Sequence, residues 1–453
     1  MFHDPDFMPF EPPIGRAGPF DYARNYIETF PASTYVNGVS FVEGIWPFKD
    51  TLFLTDPSVI EDVLVKRPDL FGRDLVTNQA MSNILDQRGL FLAEGADWRW
   101  QRRAVAPAFR YENLLKFVPR FFASAMAQAQ AWRNAGAAAP VDVAKAMTRT
   151  TFDVIVQTLL GGDAVLEREK WLAALTASFD AFPWQSLLAM DGLPKAFPHP
   201  GLFKMRTAVA YLRGETNKII AARRGGGTYH NDVLDLLIAA RDPETGRALN
   251  DEELTANLFT FVAAGHETAA MALSWVLWLL AKDQTSQARV REEVIRVAGA
   301  YDIYAEQVER LIFTRQVIQE AMRLFPPAPA ISRQAREDVT LGAHRISKHA
   351  QIVIPIWSLH RNERLWDDPH GFDPERFSAE DAKARHRFSY LPFGGGPRIC
   401  VGMSFAMLEI VTILATLVRE FRFHPTPGFR PQLFASVSLR PKSGLPLRIE
   451  SLG

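Results

Sequence analysis

One run of sequence constrains the fold more than any other: Asn250 to about Lys282 reads as a single uninterrupted helix. Asn250 is a good N-cap, and Glu253, three residues on, completes a capping box in which each side chain satisfies the other residue's backbone N–H. At 1.5 Å per residue such a helix spans roughly 48 Å, so the rest of the chain has to be arranged around it. From Leu258 to Ala281 it is apolar apart from His266, Glu267 and a few hydroxyl groups. A membrane span would have to carry those two ionisable residues at mid-depth, and a central carboxylate costs roughly 2.5 kcal/mol or more there. The expected role is a buried core helix.

The flanks agree with a mainly α fold. Helical periodicity runs through Phe117 to Trp132, Val141 to Leu160, Leu202 to Ala222 and Val233 to Ala240, with breaks at Gly136, Gly161-Gly162 and Gly225-Gly226-Gly227. Short β-like runs such as Thr51-Leu52-Phe53-Leu54 precede Trp98, and the strand-rich part is expected mostly within 30–95 and 330–360, the helical part mostly within 98–325 and 400–420. No repeat marks a boundary, so a single domain over 1–453 is expected. The 51 basic and 51 acidic residues cancel, which removes any global electrostatic case for binding nucleic acid or anionic membranes. The first residues, Met1 to Pro13, carry neither a basic segment nor an apolar stretch and are broken by prolines. No signal peptide or membrane anchor is read there, and a cytoplasmic location is expected.

Cys400 is the only cysteine in 453 residues, which excludes an internal disulfide. It also leaves zinc or an iron–sulfur cluster without the several closely spaced ligands they need. A lone cysteine is ordinarily a small buried hydrophobe, but its setting here, Phe393-Gly394-Gly395-Gly396-Pro397-Arg398-Ile399-Cys400-Val401-Gly402, argues otherwise. Glycines let backbone approach a ligand, Arg398 can pair with an anion, and the apolar run Met403 to Leu417 reads as a helix. A thiol at a helix N-terminus is biased toward thiolate.

The pattern Phe-x-x-Gly-x-Arg-x-Cys-x-Gly, filled by Phe393, Gly396, Arg398, Cys400 and Gly402, resembles that of the cytochrome P450 superfamily, in the style of its bacterial members. The resemblance runs from about Phe71 to the C-terminus and implies the cytochrome P450 fold, a b-type haem, and Cys400 as the axial iron ligand. Ala264-Gly265-His266-Glu267-Thr268 resembles the family's oxygen-activation motif at every fixed position. Ala264, Gly265 and Thr268 share one helix face at spacings of three and four. There, small residues leave room for dioxygen, Thr268 holds water or donates a hydrogen bond, and Glu267 supplies protons. The bland alternative has Thr268 bonded back to its own helix. His266 matches only the variable position and is read as structural.

The same resemblance implies three propionate partners, Arg102 within Trp98-Arg99-Trp100-Gln101-Arg102, Arg333 and Arg398, with Trp98 beside them. Glu320 and Arg323, one turn apart, would join Arg376 in a buried charge triad that serves structure. Arg99 and Arg103 are candidates for a basic patch toward an acidic electron donor. The pocket would include Phe261, Val262, Ala264, Ala330, Ile331, Ser436 and Val437, apolar enough for a lipophilic, neutral or weakly polar substrate. Phe179 to Phe203 is either a mobile lid or a loop packed on the core.

Implied by the family, then, is a monooxygenase that places one atom of O2 on carbon. No Gly-x-Gly-x-x-Gly and no cysteine set supplies electrons from within. A separate ferredoxin or flavodoxin with its reductase is therefore expected, with NAD(P)H acting only through it, and a monomeric haem protein. The rivals are a peroxide-using or isomerising haem-thiolate enzyme and a non-catalytic haem sensor or electron carrier.

Overall fold

Asn250 caps the central helix as the sequence implies: its side chain accepts from the Glu253 N–H at 2.9 Å and Glu253 Oε2 accepts from the Asn250 N–H at 3.0 Å. The structure, a computed structural model, describes residues 24–44, 50–136, 139–162, 167–226, 229–300 and 302–452. The N-terminal reading over Met1 to Pro13 and the last glycine of the triple-glycine break lie outside the described residues. Helices used below are α1 (Leu75–Met81), α2 (Gly95–Val105), α3 (Val118–Ala135), α4 (Val143–Leu159), α5 (Arg168–Asp180), α6 (Phe182–Met190), α7 (Leu202–Arg224), α8 (Asp251–Lys282), α9 (Gln284–Ala298), α10 (Ile312–Leu324) and α11 (Met403–Glu420).

Helix α8 runs through the middle of the helical layer and packs on α4, α7, α9, α10 and α11. Its contact with α4 is close because Gly265 has no side chain: a Cβ there would stand 2.9 Å from Ile155 Cδ1. Farther along, Trp275 stacks on Phe325 at 4.3 Å while Trp278 meets the same ring edge-on at 5.9 Å. Such pairs add about 0.5–1.5 kcal/mol each beyond the area they bury. Among the described residues no helix is long and apolar enough to cross a membrane.

The expected strand-rich part forms a five-stranded sheet from β1 (Val39–Val42), β2 (Thr51–Leu54), β3 (Phe71–Gly72), β4 (Ile331–Ala335) and β5 (Gln351–Ile354), in the order β1-β2-β5-β4-β3. Only β2–β5 is parallel. On the edge, Phe71 pairs with Ala335 and Gly72 with Gln334, so Arg73 leaves the sheet beside Arg333. Strands also occupy the C-terminal region, beyond the two stretches where most were expected: Pro446–Ser451 lies between Phe421–Pro425 and Val141–Asp142. A hairpin of β6 (Leu433–Ala435) and β7 (Leu439–Pro441) precedes it. Phe421-Arg422-Phe423-His424 and Leu447-Arg448-Ile449-Glu450 alternate apolar and polar residues as half-buried strands do, but the segments are short and their partners are set by tertiary contact.

The stretch from Phe179 to Phe203 contains a helix, α6, rather than loop alone. It is held against α1 by polar contacts: Gln79 donates to the Leu193 carbonyl at 2.6 Å, and Asn83 bonds Gln185, which in turn meets His199.

Candidate active site

The cysteine loop is shaped by two glycines at positive φ, Gly394 at 74° and Gly396 at 69°. At Gly396 no other residue fits, since a Cβ would lie 2.1 Å from the Leu64 carbonyl oxygen. The loop closes through Cys400 N–H donating to the Phe393 carbonyl at 2.9 Å. Leu391, at its start, donates its N–H to Nε2 of buried His360 at 2.9 Å. Helix α11 begins three residues after Cys400, behind Gly402 as N-cap. Cys400 is an exposed, free cysteine. Burial pushes it up from its ordinary value, opposed by the Gly402 N–H and the charge of Arg102. A bound iron would deprotonate it outright.

Arg102 projects from α2, half-buried, where burial lowers it and the Cys400 thiolate charge raises it. Arg398 lies 4.5 Å over the Trp98 ring and donates to the Ala93 carbonyl at 3.0 Å, with Glu94 at 3.9 Å. Arg333 is driven down to about 10 by burial and by Arg398. A fourth guanidinium, absent from the sequence expectations, joins them. Arg73 is driven down to about 9 by burial and by Arg333 and Arg398, and its Nε is buried with no partner. Arginine does not give up its proton under ordinary conditions, so the three partly buried cations Arg73, Arg333 and Arg398, set against the two carboxylates Asp74 and Glu94, leave a positive excess and one orphaned N–H that suit an anion. The single thiol, the glycine loop and this cluster fit a haem with two propionates.

On α8, Ala264 is exposed and Gly265, Glu267 and Thr268 are half-buried, while Leu258–Ala263 and Ala269–Ala281 are buried. The core helix is thus uncovered over one short face. Thr268 Oγ1 donates to the Ala264 carbonyl at 2.8 Å, the back-bonded geometry, which leaves its lone pairs free to accept. Glu267 Oε1 accepts from Ser438 Oγ at 2.7 Å. Gly265, counted with the oxygen-facing residues, also has a packing reason in Ile155. His266 is buried, its Nδ1 meeting the Val262 carbonyl at 3.0 Å and its own carbonyl accepting from Thr151. Burial lowers its pKa, against the opposing charge of Glu267. It sits in packing, not at the open face.

Phe393 is half-buried in the loop. Phe261 meets Phe109 edge-on at 5.2 Å, and Val262 is fully buried. Ala330, Ile331, Ser436 and Val437 are half-buried, the last two in the turn between β6 and β7. Glu320 and Arg323 form a bidentate buried pair at 2.7 and 2.8 Å, with Arg376 Nε 3.5 Å from Glu320. Arg323 also donates to the carbonyls of His360, Pro369 and Gly371, tying α10 to the segment before the cysteine loop. Arg99 pairs with Asp69 at 2.9 Å, and Arg103 with Asp242 and Glu244 at 2.7 and 3.1 Å. Their positive charge is therefore locally offset.

Fold and site together fit a haem protein. The chain belongs to the cytochrome P450 family of haem monooxygenases, which use dioxygen: the family model Cytochrome P450 matches residues 41–446. Cytokinin hydroxylase of Arabidopsis thaliana is 32% identical, over 88% of this chain and 79% of that protein. Cyclooctatin synthase of Streptomyces melanosporofaciens is 33% identical, over 79% and 78%. Cytochrome P450 4F4 of Rattus norvegicus is 30% identical, over 93% and 84%. The crystal structure of the cytochrome P450DA haem domain superposes with a TM-score of 0.81 at 25% identity, covering 92% of this chain and 90% of that one.

Proposed function

We propose that the chain hydroxylates a lipophilic, neutral or weakly polar small molecule, with b-type haem on Cys400 and electrons from a separate ferredoxin or flavodoxin and its NAD(P)H-dependent reductase. The observation that carries it is the conjunction of one loop-presented thiol with a cluster of partly buried guanidinium groups, Arg73, Arg333 and Arg398, whose charge Asp74 and Glu94 only partly offset. Bound haem supplies the reductive activation of dioxygen. Cys400 would hold the iron, and Arg73, Arg102, Arg333 and Arg398 the propionates, with Trp98 fixing the guanidinium of Arg398. Ala264 leaves the space beside α8 open, Thr268 Oγ1 accepts a proton donor there, and Glu267 restores the proton passed on. Phe261, Ala330, Ile331 and Val437 offer carbon surface to a substrate, in keeping with the organic substrates implied by names such as cytokinin hydroxylase. Glu320, Arg323 and Arg376 keep the scaffold in register.

The test is Cys400→Ala. It should abolish the long-wavelength Soret band of the reduced carbon monoxide complex, and survival of that band would sink the ligand assignment.

A further inference from the structure

Glu267 is the only acid on the open face of α8, and the contacts that hold it come from outside the helix. Oε1 accepts from Ser438 Oγ at 2.7 Å and lies 3.9 Å from Arg440 Nη1. Arg440 in turn donates from Nη2 to Asp180 Oδ1 at 3.0 Å and lies 5.0 Å over the Phe434 ring. Ser438 is buried, Arg440 half-buried, and Asp180, the last residue of α5, about half exposed. One guanidinium therefore bridges an internal carboxylate and an outer one.

The hairpin that brings these groups is itself anchored to the core. Phe434 faces Arg440 across the β6–β7 register, Leu439 donates its N–H to the Pro327 carbonyl at 2.9 Å, and its own carbonyl accepts from Trp275 Nε1 of α8 at 3.3 Å. Ser438 and Arg440 flank Leu439, so the residue that fixes the hairpin to α8 also fixes its two polar neighbours. Among the described residues only Oε1 of the Glu267 carboxylate is engaged, which leaves Oε2 to exchange a proton with water.

We infer that Ser438 and Arg440 are positioning residues for the reaction: they fix the Glu267 carboxylate, with Asp180 holding Arg440 in place, so that one oxygen stays available for proton delivery at Thr268. This rests on the oxygen-activating reading of Glu267 and Thr268. A carboxylate free to rotate would deliver protons less often per electron consumed, so loss of the hairpin contacts should appear as uncoupling rather than as loss of haem or of substrate binding.

Product formed per dioxygen consumed should fall threefold or more in Arg440→Gln, with the carbon monoxide spectrum and the substrate spectral shift unchanged. Arg440→Lys should restore most of it, and Arg440→Gln should add nothing in a Glu267→Gln background. On the substrate-free ferric protein, Asp180→Asn and Glu267→Gln should each speed amide exchange across 433–441. Unchanged coupling in Arg440→Gln, or independent and additive losses in the double variant, would overturn the assignment. So would amide exchange that stays at the wild-type rate. If Glu267→Gln and Thr268→Ala themselves leave coupling intact, the underlying reading fails instead, and the hairpin has no acid to position.

Discussion

Arg73 shows what a single residue's surroundings add to its sequence. Nothing in Phe71-Gly72-Arg73-Asp74 marks it out, because the guanidinium groups it joins, Arg333 and Arg398, are hundreds of residues away in the chain. Only the pairing of Gly72 with Gln334 brings it beside Arg333. Cys400 was legible from its loop alone, whereas Arg73 needed the edge strand to be placed first. Its guanidinium donates to the Phe91 carbonyl and lies 4.3 Å over the Phe91 ring, so it is held ready whether or not an anion is near. A hydrogen bond to a charged group contributes about 1.5–3 kcal/mol, so Arg73→Gln should speed haem loss to an acceptor apoprotein by roughly 10- to 100-fold. The midpoint of thermal unfolding of the haem-free protein should not fall, since a like charge has been removed from the cluster. A haem-loss rate equal to wild type would show that Arg73 takes no part in holding the propionates.

Elements read well where local signals agreed and poorly where the partner lay far off in sequence. The capping box fixed the start of α8, and the glycine pattern fixed the cysteine loop, but the short alternation at 421–424 and 447–450 says nothing of which strands pair. The loop's support was equally hidden: His360 lies in the segment that receives Arg323, and its Nε2 can accept the Leu391 N–H only while the ring is neutral. Burial, with Arg323 and Arg361 nearby, drives its pKa well below the usual 6.5. The folded state therefore binds fewer protons than the unfolded state, and this stabilisation is complete above the unfolded value of 6.5 and lost as pH falls below it. Below that point it should decline by up to about 1.4 kcal/mol per pH unit, and His360→Gln should flatten that part of the profile. Denaturant midpoints between pH 7 and 5 would measure it, and equal slopes in the two proteins would count against the role. Glu320→Gln probes the neighbouring support, and loss of one partner of a buried pair should cost about 3–5 kcal/mol and with it haem retention.

At the scale of the whole molecule the question is where electrons arrive. A groove of about 770 Å³ runs along the cysteine loop, lined by Gly394, Gly395, Gly396, Pro397 and Ile399 but not by Cys400. The loop that carries Cys400 thus forms one wall of the groove, so a donor docked there would lie against the backbone that carries the sulfur. Two guanidinium groups, Arg315 and Arg387, line the same groove beside exposed Met403. Arg99 and Arg103, the sequence-based candidates for a docking patch, are by contrast paired with Asp69, Asp242 and Glu244. With a net charge of zero, steering toward an acidic donor has to come from such local cations. Charge reversal at a docking surface changes association rate and its salt dependence more than the bound state. Arg315→Glu together with Arg387→Glu should therefore slow reduction by an acidic ferredoxin about tenfold or more at low salt and flatten its dependence on ionic strength. Chemical reduction by dithionite and the carbon monoxide spectrum should stay as in wild type, and Arg99→Glu should have the smaller effect. Stopped-flow reduction across a salt series decides the matter: wild-type rates in the double variant would move the docking surface away from the groove.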